Sequence, residues 1–549
     1  MSLNRNLKNV VYWALMLGAS YALADSVANR PVTTCSGLQK LQIENATISE
    51  AVDVPAGQPT PMGGGYGPPV QVVSLPAHCL VHGEVNHHLG ADGKDYGDKF
   101  ELRMPVAWQG RLLFMGGGGL DGVLRPALGL QGAVTTPDSK SALSMGYAVV
   151  STDGGHQDAN PMASDGSFGS DPRARADYNY LSTKLVTETA RRVMAQFYGR
   201  PIKYSYFQGC SNGGREGLMT AQRYPEYFDG IVAGAPAFNL THAAIAEAWN
   251  TDQLASIAPR KSDGTPDLAQ SLTEPDLKLL VSAILEKCDA LDGLKDDLIF
   301  NPEACHFDPS VLKCASGQNT GCLSAEKVKV IDAIFKGPQD SSGKAIYSPW
   351  PYDSGDAAPG WRAWMTGVGN VPSINVLIFP SFFNGLAVAG APPRIDIFKF
   401  NFDSDPARIE KASTEINATA TDWSAFRKRK GKLLLYTGMS DPVFSALDLI
   451  RYYKQIEKDN GGEPTAHDFA RLFLVPGMNH CSGGPGLDDF DTLGAIQAWV
   501  EEDKAPGTIV SSGQAFPGRT RPLCAYPLIA KYDGAGNPDD AASFNCRQL

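Results

Sequence analysis

The run Tyr204-Ser205-Tyr206-Phe207-Gln208-Gly209-Cys210-Ser211-Asn212-Gly213-Gly214 is compatible with few folds. Its aromatic first half has strand character and ends at Gly209. Ser211 then follows between glycines, and helix-like sequence opens near Arg215. This is the Gly-x-Ser-x-Gly grammar of a nucleophile elbow, in which a strained strand-to-helix turn exposes a serine hydroxyl. Glycine has a steric reason to be there, because a Cβ would hold strand and helix apart. Taken alone, the same letters also make an ordinary loop, so the rest of the chain has to decide.

Short apolar runs that end in loops surround the elbow. Arg111 to Met115 precedes Gly116 to Gly119, and Tyr147 to Val150 precedes Asp153-Gly154-Gly155-His156. Lys432 to Tyr436 and Arg471 to Val475 follow the same plan. Such runs read as buried parallel strands with helices on both faces. With the helix-like Tyr180 to Tyr198 between them, they form the strand, loop, helix units of an α/β doubly wound sheet. Residues 25–109 are rich in turn signals and alternating segments, including Val70 to Leu75 and Lys99 to Met104, and read as an antiparallel edge. After Gly230 to Pro236 the rhythm breaks. Asn239 to Arg429 carries Pro-rich turns and amphipathic stretches such as Glu274 to Lys287 and Ser324 to Phe335, the pattern of an inserted second domain.

With 549 residues, 43% hydrophobic and 19% charged, the chain exceeds one ordinary core and is composed like a folded protein. Its net charge of −11 argues against nucleic acid, which demands basic surface. Arg5 and Lys8, the apolar Val10 to Leu17, and Ala22-Leu23-Ala24 read as a secretory signal cleaved after Ala24. The apolar run is short for a spanning anchor, and no membrane partner is expected after cleavage. A secreted or periplasmic location makes the ten cysteines candidates for disulfides. Their number does not fix the connectivity. Chain proximity suggests Cys35 with Cys79, Cys288 with Cys305, Cys314 with Cys322 and Cys524 with Cys546, which leaves Cys210 and Cys481.

A serine hydroxyl needs a base to take its proton and a carboxylate to orient that base. In α/β-hydrolases these follow in the order Ser, Asp or Glu, His, each on a loop after a strand. Asp441 stands just past Leu433 to Tyr436, and His480 just past Leu472 to Val475, whereas Asp422, Asp448, His242 and His467 fall on helix-like or lid segments. An Asp before Pro is also a common turn residue. The cysteines discriminate, since Cys210 precedes Ser211 and Cys481 follows His480. If these two pair, their Cα atoms lie within about 7 Å and Ser211 meets His480.

An acyl-transfer site also requires donors for the oxyanion. The backbone N–H of Asn212 and one from the glycine loop, Gly117, are the candidates, the alternative being a plain Gly-rich turn. In the lid, Cys288 to Leu298 (CDALDGLKDDL) gathers four Asp residues in one loop, a density of hard oxygen ligands that suits Ca²⁺ and equally a solvated acidic turn. Phe444 and Trp364 are candidate walls for a substrate ring or, alternatively, core aromatics.

Cys-Ser at the nucleophile, His-Cys at the base, the Asp153-Gly154-Gly155-His156 turn and the Cys-Asp-x-x-Asp-Gly loop together resemble the tannase and feruloyl esterase family. Within it, Tyr436 to Asp448, Arg471 to Pro485 and Arg519 to Tyr526 look similar to bacterial mono(2-hydroxyethyl) terephthalate hydrolases. The resemblance implies an α/β-hydrolase core with a large lid, a catalytic Ser211, Asp441 and His480, and a Cys210–Cys481 bridge. It also implies structural Ca²⁺ held by Asp289, Asp292, Asp296 and the carbonyls of Leu294 and Leu298, and no organic cofactor. The implied substrates are small esters of aromatic acids of the feruloyl, galloyl or terephthaloyl type. The lid segment Gly367 to Pro393, where Ser381 is a further substrate-contact candidate, has no Arg or Lys to fork a distal carboxylate, so an uncharged or phenolic acyl group is expected. A polyester depolymerase, a serine peptidase and a non-catalytic binding protein on the same core are the alternatives. The expected division is a signal peptide 1–24, a first core part 25–238, a lid domain 239–430 and a second core part 431–549.

Overall fold

The computed structural model describes residues 31–58, 60–62, 70–72, 75–129, 141–158, 165–387 and 394–548. The signal peptide expected at 1–24 lies outside them. Nine strands form the main sheet: β1 (Ala46–Val54), β2 (His78–Leu89), β3 (Asp95–Pro105), β4 (Arg111–Met115), β5 (Tyr147–Thr152), β6 (Tyr204–Cys210), β7 (Gly230–Gly234), β8 (Lys432–Gly438) and β9 (Ala470–Val475). Their spatial order is β1-β2-β3-β5-β4-β6-β7-β8-β9. From β5 to β9 every pairing is parallel, and β1 to β3 add an antiparallel edge that joins through Phe100 opposite Thr152.

Both faces of the parallel strands are covered, which explains why they are apolar throughout rather than alternating. Successive side chains point to opposite sides. Phe207, Ile231, Leu433, Leu435 and Leu472 pack into one core, with Val186 and Val193 of α1 (Ser182–Tyr198) and Leu218 of α2 (Asn212–Arg223). Tyr206, Val232, Leu434 and Phe473 pack into another, which includes Trp499 near the C-terminus. Helix α1 stops where Gly199, at φ 64°, supplies a left-handed cap.

The chain leaves the sheet after β7 and returns at β8. Between them lie α3 (Leu240–Ile257), α4 (Glu274–Cys288), α5 (Ala325–Lys336), α6 (Pro359–Met365), α7 (Ile374–Pro380) and α8 (Pro406–Ile416). Thr273 and Asp276 close a capping box at the start of α4, and Ser324 caps α5 through the Lys327 N–H. Helices α3 to α7 bury an apolar cluster in which Trp361 and Trp364 meet Val443 and Phe444 of the loop after β8, while Ile409 and Ile416 of α8 pack into a separate one. The molecule is thus an α/β-hydrolase sheet carrying a large lid-like insertion. Past β9, α9 (Thr492–Glu502) leads to a small antiparallel sheet of Asp489–Phe490, Thr508–Ser512 and Arg521–Cys524. Among the described residues no helix is long and apolar enough to cross a membrane. The ten cysteines form five bridges: Cys35–Cys79, Cys210–Cys481, Cys288–Cys305, Cys314–Cys322 and Cys524–Cys546.

Candidate active site

Ser211 is the single residue between β6 and α2. Its φ of 63° and ψ of −126° are a conformation that L-residues rarely adopt. Bonds on both sides hold it: its N–H donates to the Gly234 carbonyl at 3.0 Å, and its carbonyl accepts from Ala237 at 3.0 Å and Arg215 at 3.1 Å. Serine at a helix N-cap usually turns its hydroxyl onto the helix. Ser211 makes no such bond, so capping does not consume its hydroxyl. The neighbouring glycines permit this crowding. A Cβ on Gly209 would lie 2.6 Å from the Gly213 carbonyl, and one on Gly213 would lie 2.7 Å from the Gly117 carbonyl oxygen.

His480 and Asp441 arrive on the loops after β9 and β8. Nδ1 of His480 lies 2.9 Å from Asp441 Oδ2, while Asp441 Oδ1 accepts the N–H groups of Val443 at 2.8 Å and Phe444 at 3.1 Å. The Asp441 side chain is fully buried and that of His480 is 10% exposed. A carboxylate held this way fixes the imidazole with its proton on Nδ1, leaving Nε2 as an acceptor. The two loops are tied together from the lid. Asp353 accepts from Ser440 Oγ at 2.6 Å and Gly477 N–H at 2.7 Å, Asn479 Nδ2 donates to the carbonyls of Ser440 and Gly355 at 3.1 Å each, and Trp350 Nε1 donates to the Asp441 carbonyl at 3.1 Å. Asp353, Asn479 and Trp350 were not among the residues singled out from the sequence. They carry no motif, because their roles depend on segments 39 to 124 residues apart in the chain.

The Cys210–Cys481 bridge, with Cα atoms 6.0 Å apart, joins the residue before Ser211 to the residue after His480. Cys481 also adopts a left-handed φ of 66°. Trp364 and Phe444 both reach this centre: their rings stand edge-on to the His480 imidazole, with centroids 5.5 and 5.3 Å away. Each is also part of the lid core. Ser381 is buried at the head of Ser381–Ala387, with its carbonyl against Gly166, and the adjacent Phe382 and Phe383 pack with Phe168 and Tyr178.

Of the two expected oxyanion donors, the Asn212 N–H sits in the first position of α2, where no acceptor exists within the helix. The Gly117 N–H is engaged: it donates to Glu216 Oε2 at 3.1 Å. Gly118 N–H donates to Asp121 Oδ1, also at 3.1 Å.

The calcium expectation is overturned. Among the described residues no group of three or more His, Cys, Asp or Glu side chains is arranged to hold a metal ion. The loop's carboxylates are committed elsewhere. Asp289 accepts the N–H groups of Asp296 and Asp297 at 3.1 Å, and Asp292 accepts those of Leu294 at 3.2 Å and Phe300 at 2.9 Å. Asp296 is paired with the fully buried guanidinium of Arg521, while Leu294 and Leu298 turn their side chains to the core. An acidic loop closed by backbone amides and an arginine is a structural turn. Burial pushes Asp292 up to about 7, which reflects how little positive charge faces it.

A family described as tannase and feruloyl esterase matches residues 79–547. The mono(2-hydroxyethyl) terephthalate hydrolase of Piscinibacter sakaiensis is 42% identical over 520 residues, covering 86% of this chain and 85% of that protein. The crystal structure of feruloyl esterase B from Aspergillus oryzae superposes with a TM-score of 0.77 at 25% identity, covering 93% of this chain and 99% of that one. The tannin acyl hydrolase from Aspergillus niger shares the fold, with a TM-score of 0.69 at 20% identity over 96% and 95% of the two chains. The chain belongs to the tannase and feruloyl esterase family, and it is an ester hydrolase.

Proposed function

We propose that the protein is a serine esterase that cleaves esters of aromatic carboxylic acids through an acyl-enzyme on Ser211. The observation that carries this reading is the Cys210–Cys481 bridge, which ties the strained serine to the histidine that Asp441 orients. Ser211 Oγ attacks the ester carbonyl as His480 Nε2 takes its proton, and Asp441 stabilises the imidazolium that results. The tetrahedral oxyanion receives the Asn212 N–H, with the Gly117 N–H shared between it and Glu216 as a three-centre bond. His480 then returns the proton to the departing alcohol and activates water for deacylation.

The edge-on rings of Trp364 and Phe444 favour a flat acyl group beside His480, and Ser381 is a further contact. The names of the relatives, a terephthalate monoester hydrolase and feruloyl esterases, have an aromatic acid in common. Because segment 367–393 contains no Arg or Lys, uncharged and phenolic acyl groups fit better than a terephthalate monoester with its free carboxylate. Five disulfides fit an oxidising compartment outside the cytoplasm. Kinetics on methyl ferulate, methyl gallate and mono(2-hydroxyethyl) terephthalate test the substrate assignment. Higher kcat/KM on the first two supports it, and preference for the terephthalate monoester overturns it.

A further inference from the structure

Behind the glycine loop two carboxyl groups are buried side by side, and the hydrolytic steps above make no use of them as acids or bases. Glu216 lies on α2, one turn past Asn212, and Asp121 lies just beyond the glycine loop; they are 8% and 3% exposed. Glu216 Oε2 accepts the Gly117 N–H at 3.1 Å, and Asp121 Oδ1 accepts the Gly118 N–H at 3.1 Å. Both carboxyls also accept from the Asn212 amide, whose Nδ2 donates to Asp121 Oδ1 at 2.7 Å and to Glu216 Oε1 at 3.0 Å. The Asn212 Oδ1 in turn accepts from Arg215 Nε at 2.7 Å and Tyr178 OH at 3.3 Å. Asn212 therefore uses both donors and both lone pairs, and its side chain has one possible orientation. The remaining oxygen, Asp121 Oδ2, is buried without a hydrogen-bond partner beside Gly117. Two buried carboxyls that accept from the same Asn212 nitrogen disfavour each other's charge.

We propose that Glu216 and Asp121 are positioning residues for ester hydrolysis: a carboxyl pair that retains one proton, on Asp121, and clamps the glycine loop to the start of α2. The two segments that supply the oxyanion donors then move as one piece. The donor pattern assigns the charge. Glu216 faces two N–H donors and acts as an acceptor only, whereas Asp121 has a spare oxygen that can carry the proton. Burial, together with the negative Glu216, raises the Asp121 pKa well above the ordinary carboxylate range, in agreement with that assignment. This inference rests on the acyl-enzyme reading, because a clamp on the oxyanion segments matters only if an oxyanion forms there.

The test compares isosteric amides. Glu216→Gln presents one acceptor oxygen where two donors converge, so the loop loses an anchor. The expected result is a kcat on methyl ferulate lower by about 100-fold or more, the scale set by loss of an oxyanion donor. KM should stay within about threefold, since ground-state binding is untouched. Asp121→Asn replaces the carboxyl proton with an amide proton in the same place and should lose no more than a few-fold. Equal losses in the two variants, a loss confined to KM, or an unchanged or increased kcat in Glu216→Gln would overturn the clamp; an increase would mean that Glu216 competes with the oxyanion for Gly117. Should Glu216→Gln fail to fold, Asp121→Asn against Asp121→Leu decides, with equal kcat in that pair counting against the proposal. Ser211→Ala is assayed in parallel. Persistent turnover there removes the nucleophile assignment, while a kcat defect in Glu216→Gln beside an inactive Ser211→Ala supports both.

Discussion

Replacing Cys210 and Cys481 together by Ala removes the covalent tie between the nucleophile and base segments without touching either side chain. The bridge closes a segment of 271 residues. The chain-entropy relation puts its stabilising effect at about 5.6 kcal/mol, an upper figure because measured bridges deliver less. A domain in the middle or upper part of the ordinary range of about 5–15 kcal/mol would be weakened yet still folded at low temperature. The catalytic effect is separate. Ser211 sits on the β6–α2 elbow and His480 on the loop after β9, so the bridge, with Cα atoms 6.0 Å apart, joins the two segments directly, beside the Asp353 and Asn479 bonds that hold the His480 loop. A displacement of about 1 Å at reacting groups lowers the rate on the order of 100-fold. The assay is kcat on an aromatic methyl ester at a temperature well below the variant's melting point, with circular dichroism recorded on the same sample. The expected outcome is an intact spectrum, a lower Tm and a kcat down by about two orders of magnitude. A wild-type kcat from the folded variant refutes the reasoning, since the bridge would then stabilise the fold without positioning the pair.

Asp441→Asn can satisfy either His480 or the N–H groups of Val443 and Phe444, but not both; if the imidazole is left in the wrong tautomer, kcat should fall by about 10³ to 10⁴, and a loss under tenfold contradicts the orienting role. Arg521→Leu leaves the buried Asp296 carboxylate with only Arg519, 4.0 Å away, and should lower stability by up to about 3–5 kcal/mol, read as a drop in Tm, with an unchanged Tm counting against the closed-turn account of the acidic loop. Burial holds Asp153 and Asp177 up to about 7, so the folded state retains protons that the unfolded chain has released. That stability is fully present below pH 4 and is lost as pH rises through 7; His82, held protonated by Glu101, acts in the same sense, while His78 and His242, whose buried imidazoles favour the neutral form, act in the opposite one. Tm should therefore decline between pH 5 and 8 at constant ionic strength, and a rise across that interval would be inconsistent with protonated carboxyls.

What the sequence made legible was local chemistry with strict order. The elbow glycines, the Ser, Asp, His succession and the Cys neighbours of Ser211 and His480 each state a requirement within a few residues, and the fold places all of them on strand ends. Apolar runs without alternation revealed the parallel strands because both faces are covered. What stayed hidden depends on partners remote in the chain. The acidic loop is open by composition between calcium and a solvated turn and points to calcium only through the family resemblance, and nothing near it reveals that Arg521, 225 residues on from Asp296, supplies the balancing charge. Gly117 reads as a free donor because Glu216, 99 residues later, is invisible as its acceptor. Asp353 ties Ser440 to Gly477 from within the lid and has no neighbouring signature at all.

The central claim is covalent chemistry at Ser211, and a trapped intermediate tests it most directly. The enzyme is mixed with a p-nitrophenyl ester of an aromatic acid, quenched in acid during the burst, digested and weighed by mass spectrometry. The account predicts a peptide containing Ser211 heavier by the mass of one acyl group, and its disappearance in Ser211→Ala together with turnover. An acyl group on another residue, or undiminished turnover by Ser211→Ala, would contradict it.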